Sequence, residues 1–186
     1  MNPPRIHITG ASGSGVSTLG RALAQATGAV QLDTDAFYWL PVKPDFSAKR
    51  PVEDRLRLLH EAFEAAGASG WILSGSISDW GAPMVPLFDR VIFLRTPEAI
   101  RMERLKAREI ARYGQDAIAP GGERHDTYVE FLDWAANYDV GTVAGRNLAR
   151  HEEFLAGLAC PVLRLDGSQP TEALVAQVLA AVTRQA

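Results

Sequence analysis

A single cysteine in 186 residues leaves no partner for an internal disulfide and no basis for a thiolate metal centre. Cys160 stands between Ala159 and Pro161, just ahead of a strand-like run, where a buried core thiol is expected. Long apolar runs are also missing. Although 47% of the residues are hydrophobic, they come in short runs, far below the roughly 18 to 20 consecutive apolar residues that cross a bilayer. The opening residues go straight into a strand-like run, without a basic segment followed by an apolar stretch and a small-residue cleavage site. A soluble, cytoplasmic protein is therefore expected. Lysine is scarce: of nineteen basic residues only Lys43, Lys49 and Lys106 are lysines, so anions are met with arginine. A net charge of −3 with no Lys/Arg run offers no general attraction to nucleic acid or to an acidic membrane. The histidines His7, His60, His125 and His151 lack metal-ligand spacing, so no structural metal is expected.

What is present is an alternation of strand and helix signals, the pattern of βαβ units around a parallel sheet. Strands are expected at Arg5 to Thr9, Ala29 to Leu32, Trp71 to Ser74, Arg90 to Leu94 and Pro161 to Leu165. A helix from Ser17 to Thr27 closes at Gly28, and one that starts at Pro51 and buries Val52, Leu56, Leu59 and Phe63 closes at Gly67. Thr96-Pro97 starts a helix that runs to about Tyr113, a hydroxyl cap followed by a first-turn proline. Gly114 to His125 is dense in breakers and reads as a mobile loop. Helices follow near Asp126 to Tyr138, Thr142 to Leu158 and Thr171 to Arg184. The expectation is one α/β domain over residues 1–186 with a five-stranded parallel sheet, as a monomer or homodimer.

The first strand runs into GASGSGVST, Gly10 to Thr18. Glycines let backbone N–H groups curl around a phosphate, and the helix that follows adds its partly positive end. Gly10, Gly15 and Ser17 fall on the phosphate-loop pattern G-x-x-x-x-G-K-[ST], with Ser12, Gly13 and Ser14 between them, but Val16 stands where the lysine belongs. A plain glycine-rich turn is the competing reading. The second strand ends in LDTDAF, where Asp33 and Asp35 at spacing two would point the same way from an extended segment; an ordinary aspartate-rich turn is the alternative. In the helix after Thr96, Arg101, Arg104, Arg108 and Arg112 recur on one face, with Arg101 and Arg112 read as solvated.

With these motifs the chain resembles the P-loop small-molecule and nucleotide kinases, the adenylate, cytidylate and shikimate kinases among them. The resemblance covers nearly the whole sequence and implies a helical lid over about residues 109–145 and an acceptor-binding segment over about 35–66. It implies ATP on Gly10, Ser12, Gly13, Ser14, Gly15, Val16, Ser17 and Thr18, and Mg²⁺ on Ser17 and Asp33. Asp35 would meet the acceptor hydroxyl and serve as base, Arg104 would lie on the adenine, and Arg108 would reach phosphate. Arg146 and Arg150 would be lid arginines on the transferring group, and Asp166-Gly167 the adenine-side turn. Phe37, Tyr38 and Trp39 could stack on a flat acceptor, with Lys43, Lys49, Arg50 or Arg55 meeting an anionic group, packing or solvated surface being the alternative for each; Ser76 and Asp79, at the carboxyl end of the third strand, are candidate acceptor contacts. The face Tyr128, Phe131, Trp134 and Tyr138 reads most simply as helix packing.

The departure at Val16 bears on the transfer step, since phosphoryl transfer rests on positioning and charge stabilisation. One well-placed transition-state donor is worth on the order of 10²- to 10³-fold, and an arginine finger roughly 10³ to 10⁵. An arginine such as Arg108, Arg146 or Arg150 could therefore stand in for lysine. Three readings remain: a phosphotransferase with arginine substituting, a nucleotide-binding module with little transfer activity, and a loop that holds another anion or only turns the chain.

Overall fold

Alternating side chains lay out the sheet. In the computed structural model, which describes residues 4–141 and 145–183, five parallel strands take the order β2-β3-β1-β4-β5. They are β1 (Arg5–Gly10), β2 (Val30–Asp33), β3 (Trp71–Ser74), β4 (Arg90–Arg95) and β5 (Val162–Asp166). Ile6, Ile8, Ile72, Ile92 and Leu94 face one side, against α1 (Val16–Thr27) and the last helix, α8 (Thr171–Thr183), through Leu19, Leu23, Leu174 and Val178. Trp71, Leu73, Val91 and Phe93 face the other, against α3 (Val52–Ala66) through Leu59 and Phe63 and against α7 (Leu148–Ala156) through Leu155. Phe63 and Trp71 stack with centroids 3.8 Å apart, a contact worth about 0.5–1.5 kcal/mol beyond the area it buries. Cys160 is half-buried beside this second layer. His7, at a core position of β1, is fully buried; desolvation pulls its pKa down to about 4 against a bond from Nδ1 to the Leu73 carbonyl.

The expected five-stranded parallel sheet is therefore present, with strand limits within a residue of the sequence reading. Three local expectations change. The segment after Gly114 is not an open loop: Gln115–Ile118 forms α5, and bonds from Gly122, Arg124 and His125 back to Ala119, Ala117 and Gly122 fold the rest into turns around buried Ile118. Next, α6 covers His125–Ala136, two residues short of Tyr138. The helix expected from Thr142 starts only at Leu148, because Asn147 caps it by accepting from the Arg150 N–H at 2.9 Å. Residues 142–144 and Arg184, included in those expected helices, lie outside the described residues. The remaining helices are α2 (Thr34–Tyr38) and α4 (Glu98–Tyr113). No described helix is long and apolar enough to cross a membrane.

Candidate functional site

The chain leaves β1 for β2 on one side of the sheet and later crosses from β3 to β4 on the other, so a crevice opens at the carboxyl end of β1. Gly10 to Thr18 occupies it. Gly13 and Gly15 take φ of +78° and +99°, left-handed values that cost a side chain dearly. A Cβ on Gly13 would stand 2.6 Å from the Arg101 carbonyl, so the loop needs glycine there for space as well. Helix α1 begins at Val16 with no side-chain cap and no acidic residue in its first turn, which leaves its N–H groups and positive end for an anion. Ser14 is wholly buried, and its Oγ has no partner among the described residues. Its carbonyl accepts from Thr96 Oγ1 at 3.1 Å and from Arg104 Nη1 at 3.3 Å. Val16 turns toward the apolar layer of α1 and α8.

Ser17 Oγ donates to Asp33 Oδ2 at 2.8 Å, a pair of hard oxygens beside the loop. Asp33 and Asp35 come together by a route other than strand alternation. Asp33 ends β2 and is the N-cap of α2, its Oδ1 accepting from the Asp35 N–H at 3.1 Å, so Asp35 sits in the first turn of a helix. The Asp35 carboxylate opens to the cavity, yet its enclosure and the Asp33 charge raise its pKa, with Arg146 opposing.

Two cavities meet here. The larger, about 730 Å³, is lined by Ala11 to Arg21 except for Gly20, and by Asp33, Asp35, Arg104, Arg108, Arg112, Arg146 and Gly167. The smaller, about 360 Å³, is lined by Tyr38, Trp39, Lys49, Ser76, Asp79, Trp80 and Trp134, and it shares Thr34, Asp35 and Arg146 with the first. Arg146 links both to the loop: its Nη2 donates to Ser12 Oγ at 2.9 Å and its guanidinium lies 5.5 Å from the Trp134 ring. Desolvation lowers the pKa of Arg146, with Asp35 the first of the charges that oppose it.

The other arginines divide. Arg104 ties the loop to the β5–α8 turn by donating to the Ser14 and Gly167 carbonyls. Arg108 bonds Glu109 and lies 5.6 Å from the Phe131 ring, so Phe131 and Trp134 present their faces to the cavity cations rather than serving only as packing. Arg112 is exposed as expected, over Phe46. Arg101 is not solvated. It is 0% exposed and donates to the Thr96 and Ala135 carbonyls, each at 3.1 Å, and to Asp139 Oδ2 at 2.8 Å. Arg150 borders neither cavity and lies 3.5 Å from Asp79, while Asp166 turns outward to its own Ser168. Of the cations proposed for an anionic acceptor, only Lys49 lines the smaller cavity. Lys43 pairs with Asp45, Arg50 serves the Phe37 and Trp39 carbonyls, and Arg55 is buried 3.9 Å from the Tyr38 ring centre.

With that geometry in place, a family model described as an AAA domain matches residues 6–126, from β1 into α6. The chain belongs to the AAA domain family. A relative of similar length, the uncharacterized protein YqaC of Bacillus subtilis (strain 168), is 41% identical over 174 residues, 94% of each chain. Among solved structures, this AAA domain resembles a shikimate kinase from Acinetobacter baumannii in complex with shikimate, at a TM-score of 0.58 and 17% identity over 98% of this chain and 94% of that one. It also resembles a gluconokinase from Sinorhizobium meliloti 1021, at 0.51 and 22% over 99% and 94%. The fold is that of the P-loop kinases.

Several residues of the site were not read as part of it. Thr96, expected to cap α4, instead donates to the Ser14 carbonyl and leaves Pro97 as an N-cap with no side-chain bond; Trp80 lines the smaller cavity, and the buried pair Tyr138 and His151 reaches it through Ser76. Their one sequence signal is that each is a polar or aromatic side chain near the carboxyl end of a strand or in the segment folded over it.

Proposed function

We propose that this chain is a nucleotide-dependent phosphotransferase acting on a small hydroxyl-bearing acceptor, with Arg146 in the role of the absent loop lysine. The observation that carries the reading is the position of Arg146, bonded to loop Ser12 while lining both cavities together with Asp35. The residues present fit a polyphosphate: glycines in left-handed backbone, an uncapped helix start and the unpartnered Ser14 hydroxyl form a cradle of donors. Ser17 and Asp33 supply oxygen ligands suited to Mg²⁺. ATP with Mg²⁺ would bring the transferable phosphoryl group and the metal's neutralising charge. Arg104 and the Gly167 turn would hold the nucleobase end, Arg108 and Arg146 would gather the phosphate charge, and Asp35 would receive the acceptor proton. The raised pKa of Asp35 suits a base. The acceptor segment over residues 35–66 and the lid over 109–145 belong to this proposal.

One observation favours a second reading, nucleotide binding with little transfer: Val16 is spent on the apolar layer, and no cation stands at the loop-lysine position. A double-mutant cycle separates the two. Purified protein with Mg-ATP is assayed by calorimetry and for ADP release against nucleoside monophosphates, nucleosides and small polyols, as wild type, Val16→Lys, Arg146→Ala and the pair. Arg146→Ala should lower turnover by on the order of 10²- to 10³-fold in the native background, and by much less in the Val16→Lys background. Equal losses would refute the substitution, and tight ATP binding without acceptor-dependent ADP would refute transfer.

A further inference from the structure

A buried line of hydrogen bonds runs from Tyr138 through His151 to Ser76 on the smaller cavity. Tyr138 is 3% exposed and its Oη lies 2.7 Å from His151 Nδ1, its one hydrogen-bond partner among the described residues. Burial pushes the phenol pKa well above its ordinary value, so it keeps its hydrogen. If Nδ1 carried a proton, that phenolic hydrogen would be buried with no acceptor, so Tyr138 donates and Nδ1 accepts. His151 is 0% exposed, and desolvation followed by the charge of Arg146 pulls its pKa down to about 3; it is neutral at physiological pH. A neutral imidazole that accepts at Nδ1 bears its hydrogen on Nε2. Nε2 faces Ser76 Oγ at 3.4 Å, and Ser78 Oγ lies 3.1 Å on the other side. Ser76 Oγ accepts from His151, and between Ser76 and Ser78 either hydroxyl can donate; when Ser78 donates, the hydrogen of Ser76 is free for the cavity it lines.

A second donor stands on the same wall. Trp80 is 7% exposed and lines the cavity, yet its indole Nε1–H has no partner among the described residues. An unpaired buried donor costs about 1–3 kcal/mol, a cost removed when an acceptor arrives. Lys49 and Arg146 add cations to the same cavity, whose carboxylates are Asp35 and Asp79.

We propose that Ser76 and Trp80 donate to an accepting oxygen of the second substrate, a carbonyl, carboxylate or phosphate oxygen, and that Tyr138 and His151 are positioning residues that fill a Ser76 lone pair and so favour its hydroxyl as donor. This rests on the phosphotransferase reading for the cavity's role, and its test runs without nucleotide. Binding of gluconate, glucitol phosphate and glucitol to the full chain is measured by calorimetry, the three sharing a carbon chain and differing in one terminal group. At least one charged probe should bind about tenfold or more tighter than glucitol; the tighter of the two identifies carboxylate or phosphate. Ser76→Ala should remove most of that preference and Ser76→Thr should keep it. In isotope-labelled histidine spectra His151 should hold the Nε2–H form from about pH 8 to about pH 5, and Tyr138→Phe should release it into a tautomer mixture. Glucitol binding as well as both charged probes, an unaltered preference in Ser76→Ala, or His151 with hydrogen on Nδ1 would each overturn the proposal. An intact preference without ADP release would overturn the phosphotransferase reading alone.

Discussion

Arg101→Met should be among the most damaging single substitutions outside the cavity lining. Methionine restores much of the length and apolar stem but no donor. The carbonyls of Thr96 and Ala135 and the Asp139 carboxylate each lose a partner at 2.8 to 3.1 Å. Each orphaned buried acceptor costs about 1–3 kcal/mol, and an unbalanced buried ion pair about 3–5. Arg95 still stands 3.0 Å from the other Asp139 oxygen, so part of the charge balance survives and the total stays near the ion-pair figure rather than the sum. The expected loss is about 3–5 kcal/mol, which for a chain of this size lowers the melting point by roughly 6–20 °C. Urea unfolding with an unchanged slope measures it. Nucleotide binding should weaken too, because Arg101 Nη1 reaches the Ser12 carbonyl of the loop and methionine does not. A loss under about 1 kcal/mol would refute the account of Arg101 as a paired interior cation.

Other outcomes follow from the same geometry. Gly13→Ala combines a left-handed φ with a Cβ 2.6 Å from a backbone oxygen, so calorimetry should find ATP affinity lost by about tenfold or more at a strain of about 1–3 kcal/mol; unchanged affinity would remove the cradle argument. Buried His7 and His151 have folded pKa values of about 4 and about 3, below the ordinary 6.5. Their contribution is present above about pH 6.5 and is lost as pH falls toward those values, because the unfolded chain takes up protons the folded one refuses. By pH 5 this amounts to about 2 kcal/mol per histidine, and urea midpoints that stay flat between pH 7.5 and 5 would contradict it. Asp35 has the opposite sign: its raised folded pKa means that protonation favours the fold, fully below the ordinary value of 3.8, and that this contribution is lost as pH rises through the folded value. Asp35→Asn should therefore abolish turnover without lowering the melting point at neutral pH, and a clear drop in that midpoint would show the carboxylate to be structurally required.

Elements with strong local signals were legible in the residues. WILS at β3 and the glycine that ends α1 declare themselves by a short apolar run and by a left-handed stop, and both stand where the sequence puts them. The Asp33–Asp35 pair was legible as a pair but for the wrong reason, since a cap and a helical turn bring them together where a strand was expected. Arg101 was misread because its periodicity matches its neighbours; what buries it is Asp139, 38 residues away, delivered by the chain after α6. Spacing along one helix carries no record of such a partner. The same holds for the line from Tyr138 to Ser76, whose members lie 13 and 75 residues apart. Gly114 to His125 misled by composition, because breakers end helices without preventing a short one anchored by a single buried isoleucine.

The wall shared by the two cavities has a consequence for the order of events. Arg146 stands within reach of the loop and of Asp35 at once, but its positive charge can be committed fully to one side only. That charge holds down the proton affinity of Asp35. A polyphosphate arriving at Ser12 would draw the guanidinium's field toward itself and release Asp35 to bind a proton more tightly. The first ligand would thereby raise the proton affinity of Asp35, and by reciprocity protonation of Asp35 would tighten the hold on that ligand.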